Sequence, residues 1–208
     1  MTTPEPLHIV FLCTGNAARS VMAGALLEAR APALRITTAG THVVEGMPMS
    51  WRTRDAIAEL GVERSMHRSH QLNDFDVDSA DVVICLAAEH VAYMRRTHAD
   101  AAAKTVTLKR LVRDLPAASG ASFAERLAAL RLADTELYSW EDVEDPAGGD
   151  LPIFRSCAHE ISALIDQLLP ELEANVAPTR RSLRALSTRT PLARPGSRTD
   201  GTSPRARG

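Results

Sequence analysis

The chain has 208 residues, of which 45% are apolar and 24% charged, the balance of a soluble globular protein with room for one α/β domain and an appendage. Its net charge of −2 hides an asymmetry: residues 176–208 carry eight arginines and one acid, Asp200, for about +7, while the remainder is about −9. The average excludes nothing about partners, but the split marks the tail as separate from the body.

In chain order, Leu7 to Leu12 is an apolar, β-branched run between Pro6 and a Gly-Asn turn signal, which predicts a strand buried on both faces of a parallel sheet. Val21 to Arg30 is helical in composition and stopped by Pro32. Leu34 to Thr38 reads as a second strand, ending at Ala39-Gly40, and Ser50 to Leu60 as a helix with Gly61 as its C-cap. Asp81 to Ala87 is another buried strand, followed by a helix from about Glu89 to Arg96. Thr105 to Leu108 and Lys109 to Leu115 form the next strand–helix unit. Ser122 to Ala133 predicts an amphipathic helix, and Leu151 to Leu172 a long one with Ile161, Ile165 and Leu168 on its apolar face. Strands alternating with helices predict a three-layer, doubly wound α/β fold around a four-stranded parallel sheet. In that architecture ligands bind at the carboxyl ends of strands. Residues 1–175 form the expected body. Residues 176–208, rich in Arg, Pro and Ser, lack apolar periodicity and are expected to be a disordered tail.

The informative string follows the first strand: Cys13-Thr14-Gly15-Asn16-Ala17-Ala18-Arg19-Ser20. A helix N-terminus supplies free N–H groups and the positive end of a dipole. A Gly-Asn pair permits left-handed backbone, so that successive N–H groups can converge on an anion. Such surroundings hold a cysteine ionised near neutral pH. Arg19 offers a planar fork for two oxygens of a tetrahedral anion, and Ser20 a hydroxyl for the sulfur. Cys13 is the candidate nucleophile, with residues Thr14 to Ser20 as the phosphate-binding loop.

This string resembles the phosphate loop of the low-molecular-weight protein-tyrosine phosphatases, Cys-x-Gly-Asn-x-Cys-Arg-Ser-Pro, a fold that also hosts the thioredoxin-coupled arsenate reductases. The resemblance runs from about Leu7 to Leu172 through Thr38-Ala-Gly-Thr41, Gly46-Met-Pro48, His67-Arg-Ser-His-Gln-Leu72, the Asp81 strand and Asp145-Pro146. It implies a phosphoric monoester hydrolase working through a cysteinyl-phosphate, with Cys13 and Arg19 catalytic, Asp145 as proton donor, and a phosphotyrosine protein or small aryl phosphate as substrate. Three departures stand out. Ala18 replaces the second loop cysteine, so no disulfide can form within the loop. Val21 replaces a proline. Ala147 follows Asp145-Pro146, and His42 or Val43 stands, where relatives place aromatics that wall a phenyl ring.

Two other functions share the loop. An arsenate reductase would need a thiol to resolve the Cys13 adduct; Cys85 sits where such reductases keep a resolving cysteine, but position 92 is Ala, leaving a small-molecule or protein thiol as reductant. A non-catalytic oxyanion-binding regulator is the third. Three scattered cysteines without C-x-x-C spacing point to a reducing, cytoplasmic setting. Neither a signal peptide nor a membrane span is visible. His67 and His70 lack a third ligand, and Glu89-His90 lies outside any His-Glu-x-x-His pattern, so no metal or cofactor is expected. The scattered tail arginines, without aromatics, are not expected to bind nucleic acid.

Overall fold

A computed structural model describes residues 5–63 and 66–173. The expected tail, 176–208, lies outside them. Four strands form one sheet, all parallel: β1 (His8–Cys13), β2 (Arg35–Gly40), β3 (Val82–Cys85) and β4 (Thr105–Thr107), in the spatial order β2-β1-β3-β4. The register pairs Cys13 with Gly40 and Leu12 with Cys85. Among the described residues seven α-helices accompany it: α1 (Arg19–Arg30), α2 (Trp51–Ala58), α3 (Asp74–Ser79), α4 (Ala88–Thr97), α5 (Leu108–Asp114), α6 (Phe123–Ala129) and α7 (Leu151–Glu173).

Every residue of β1 is buried, because the strand's two faces meet different cores. Ile9, Phe11 and Cys13 pack with Met22, Leu26, Leu27, Ile161 and Ile165 of α1 and α7. Val10 and Leu12 pack with Val77, Val91 and Met94 of α3 and α4. Strand periodicity of two therefore sends alternate side chains into two apolar layers, which is why the run contains no solvent-facing polar position. The three-layer α/β expectation holds.

Three details differ from the sequence reading. α1 begins at Arg19, directly after the loop, rather than at Val21. α3 was not anticipated; only Val77 and Asp76 among its six residues are buried, and a capping box between Asn73 and Asp76 supplies its start. α6 stops at Ala129, short of Ala133, because Arg131 takes a left-handed conformation with φ of 50°.

Candidate active site

Cys13 is the last residue of β1 and Arg19 the first of α1, so the sequence between them bridges a strand end and a helix start. Asn16, not Gly15, takes the left-handed backbone, with φ of 48°. Asn tolerates this region better than most residues. Its side chain also locks the turn, since Oδ1 accepts from His70 N at 2.9 Å and Nδ2 donates to Ser20 Oγ at 2.9 Å. Because Ser20 Oγ accepts there, its own proton is free for the sulfur, and Ser20 Oγ lies 3.0 Å from Cys13 Sγ.

Five of the six carbonyls from Cys13 to Ala18 accept hydrogen bonds. Cys13 O accepts from Thr41 N, Thr14 O from His42 N, and Ala18 O from Met22 N. Asn16 O accepts from His67 Nε2 at 2.7 Å and Ser69 Oγ at 2.9 Å, and Ala17 O from Thr53 Oγ1 at 2.8 Å. Among the described residues, no hydrogen bond engages the amide N–H groups of Thr14 to Ala18. A loop with satisfied carbonyls and unengaged amides has the polarity of an anion nest. Gly40, beside Cys13 in β2, makes this packing possible: a Cβ there would lie 2.6 Å from Thr14 O and 2.4 Å from Val43 Cγ2.

Arg19 is 4% exposed and faces the same side. Its Nη2 donates to Asp145 Oδ2 at 2.7 Å and to Thr14 Oγ1 at 3.4 Å, and its Nη1 to Val143 O at 3.3 Å. Thus Arg19, six residues after Cys13, meets Asp145 across 126 positions of sequence separation. The Asp145 side chain is 48% exposed, and its Oδ1 accepts from Ala147 N at 3.1 Å, an Asx turn set by Pro146.

Remote pegs hold the segment carrying Asp145. Glu141 is fully buried and receives both Arg110 Nε, at 2.8 Å, and Arg110 Nη2, together with Thr107 Oγ1 at 2.6 Å. Burial opposes the charge on Glu141, but these donors outweigh it and hold its carboxyl below the usual range. Asp142 Oδ1 accepts from Ala88 N at 2.6 Å, and Val143 N donates to Leu86 O. No local pattern in the sequence marks Glu141 or Asp142 as an anchor.

A second ring of residues was also not singled out as part of the site. His70 contacts Asp76 Oδ2 at 2.7 Å and Glu45 Oε1 at 3.4 Å. Desolvation lowers its pKa, yet the two carboxylates prevail and raise it. His90, from α4, touches Thr14 Oγ1 at 3.0 Å. Cys85 is fully buried on the opposite face of the sheet from Cys13, as its pairing with Leu12 requires, and burial pushes its thiol well up. Cys157 shares the Cys13 core, with its thiol pushed up to about 12, chiefly by burial. No group of three or more potential metal ligands occurs among the described residues, and none of their helices is long and apolar enough to cross a membrane.

Comparison with known proteins agrees with this geometry. Residues 8–120 match the family model described as low molecular weight phosphotyrosine protein phosphatase. A protein-arginine-phosphatase of Geobacillus stearothermophilus is 32% identical over 169 residues, covering 81% of this chain and 97% of the relative. The low molecular weight protein-tyrosine phosphatase A of Mycobacterium bovis is 30% identical over 177 residues, covering 81% and 90%. The solved structure of the YwlE arginine phosphatase from G. stearothermophilus superposes with a TM-score of 0.65 at 28% identity, covering 90% of this chain and all of that one. With fold, loop order and sequence in agreement, the chain belongs to the low-molecular-weight phosphotyrosine protein phosphatase family and is a phosphatase.

Proposed function

We propose that the chain hydrolyses phosphorylated protein side chains or small aryl phosphates by two in-line displacements at phosphorus. The Cys13 sulfur, as thiolate, forms the S–P bond as the P–O bond to the leaving group breaks, and Asp145 gives its proton to the departing oxygen. Water then attacks phosphorus, Asp145 takes its proton, and the sulfur leaves with release of inorganic phosphate. Arg19 and the loop amides of Thr14, Gly15, Asn16, Ala17, Ala18 and Ser20 stabilise the equatorial oxygens. The observation carrying this reading is the polarity of the loop, with most carbonyls engaged and the amides of Thr14 to Ala18 unengaged, joined to a buried Arg19 that reaches Asp145. Turnover of an aryl phosphate tests it: Cys13→Ser should abolish turnover, and undiminished turnover would overturn the mechanism.

A second substrate reading has its own support. Arg19, Glu89, Asp142, Glu144 and Asp145 line one cavity of about 490 Å³, a mouth with four carboxylates and one guanidinium. Such a mouth suits a phosphorylated guanidinium, which leaves as cationic arginine once Asp145 protonates its nitrogen. Relatives named arginine phosphatases and the missing aromatic wall at Ala147 favour it too. Side-by-side turnover of phosphotyrosine and phosphoarginine peptides separates the two, and arsenate-dependent thiol consumption in the same preparation tests the reductase chemistry, which no comparison favours. The expected setting is the cytoplasm. Residues 1–175 would act as the catalytic unit and 176–208 as a basic appendage, so truncation after Asn175 should preserve kcat.

A further inference from the structure

Resting on the phosphatase reading, we propose that His90 is a positioning residue: its Nε2–H orients the Thr14 hydroxyl, which in turn holds Arg19 in place during phosphoryl transfer. His90 is 1% exposed and comes from the first turn of α4, an element outside the phosphate loop. Its Nδ1 has no hydrogen-bond partner among the described residues, and its Nε2 lies 3.0 Å from Thr14 Oγ1.

The tautomer follows from these contacts. A proton on Nδ1 would be a buried donor without an acceptor, the more costly kind of orphan, whereas a bare Nδ1 lone pair is better tolerated. The proton therefore sits on Nε2 and is donated to Thr14. Arg19 Nη2 donates to the same oxygen at 3.4 Å, and the Thr14 hydroxyl donates in turn to Glu89 Oε1 at 3.4 Å. Two bonds accepted and one given is the full capacity of a hydroxyl. Burial, and next the nearby Arg19 charge, press the His90 pKa down to about 3. The ring stays neutral at working pH, and its 3.4 Å approach to Glu89 is not an ion pair.

The consequence concerns Arg19 at the moment of transfer. Asp145 must turn to the leaving group, which loosens its 2.7 Å bond to Nη2. Of the hydrogen bonds described above, those to Thr14 Oγ1 and Val143 O then remain to fix the guanidinium. The Thr14 anchor is correctly aimed only if His90 holds that oxygen.

Comparing His90→Gln with His90→Asn tests the proposal, because both are polar but only glutamine places an N–H near the Nε2 position. His90→Gln should keep kcat within about threefold of the parent, while His90→Asn should lose about tenfold in kcat and bind inorganic phosphate more weakly, with an unchanged pH-profile shape. Thr14→Val should lose a similar factor, and adding it to His90→Asn should cost less than about twofold more. Thermal melts confirm that each variant is folded. Equal kcat for His90→Gln and His90→Asn, or losses that multiply to about a hundredfold in the double variant, would overturn the proposal. Calorimetric binding of inorganic phosphate keeps the two readings apart. If the parent turns over neither aryl phosphate nor phosphoarginine, the phosphatase mechanism fails; weaker phosphate binding by His90→Asn than by His90→Gln then still supports the His90 role, and equal binding removes it. A parent that neither turns over nor binds phosphate sinks both.

Discussion

The phosphate loop and the segment carrying Asp145 meet at Arg19, yet they are shaped in different ways. From Cys13 to Ser20 the chain takes its turn from local features, a strand end, a helix start, the left-handed Asn16 and a hydroxyl seven residues from the sulfur, and donors from Thr41, Thr53, His67, Ser69 and His70 then pin it from outside. From Glu136 to Asp145 it is positioned by distant partners, with Arg110 and Thr107 on Glu141 and the α4 N-terminus on Asp142. The Cys13 end is buried, and the Asp145 carboxylate is half exposed. The proposed nucleophile is thus built into the fold, while the proposed acid is hung from it, half exposed and bonded to Arg19.

Five changes sharpen or break this contrast, and the largest effect falls on the loop. Cys13→Ser should cut kcat by at least about 10⁴-fold while leaving the melting temperature within a few degrees. A collapse of stability instead would mean that the sulfur matters mainly as core. Glu141→Gln should behave oppositely, costing about 3–5 kcal/mol because Arg110 is left partly unpaired and buried. Since folding depresses the Glu141 pKa, its contribution is full above the unfolded value and is lost as pH falls through the folded one. Urea melts of parent and variant should therefore converge in acid; a constant gap down to pH 3 would contradict the assignment.

Asp145→Asn should lower kcat about 10²-fold on substrates with poor leaving groups and far less on p-nitrophenyl phosphate, whose phenolate needs little protonation. Equal losses on both would deny it the acid role. Gly40→Ala tests the loop's packing, and about 1–3 kcal/mol should be lost as the new methyl presses on Thr14 O and Val43. A neutral outcome in melts would show that the loop yields freely. The smallest effect belongs to His70→Gln. Its pKa is raised on folding, so its support is full below about pH 6.5 and fades as pH rises through the folded value. Parent and variant should differ at pH 6 and approach each other at pH 9, as measured by chemical denaturation.

Legibility in the sequence followed the same divide. The strands, the long helix and the loop chemistry could be read because apolar periodicity and the Cys13–Ser20 spacing are local signals. Asp145 is a candidate through its Asp-Pro pair and its place in the family order, not through any local rule. Its anchors were invisible for a physical reason: Glu141 and Arg110 are 31 positions apart, and each alone looks like an ordinary surface charge. Of the Gly-Asn pair expected to permit left-handed backbone, Asn16 is the residue that takes it. His90 looked like a lone helical histidine until its contact with Thr14, 76 positions away, was visible.

The order β2-β1-β3-β4 has a bearing on how such a protein can diversify. Because β2 and β3 lie on opposite sides of β1, the segments after them flank the Cys13 end of that strand from two sides. Thr41 to Met49 forms one flank, with His42 and residues 44–48 exposed and outside both apolar layers, whereas in Leu86 to His90 only Glu89 is exposed. Exchanging the exposed part of the first flank between relatives should therefore retune which phosphorylated side chain is accepted without unfolding the scaffold beneath.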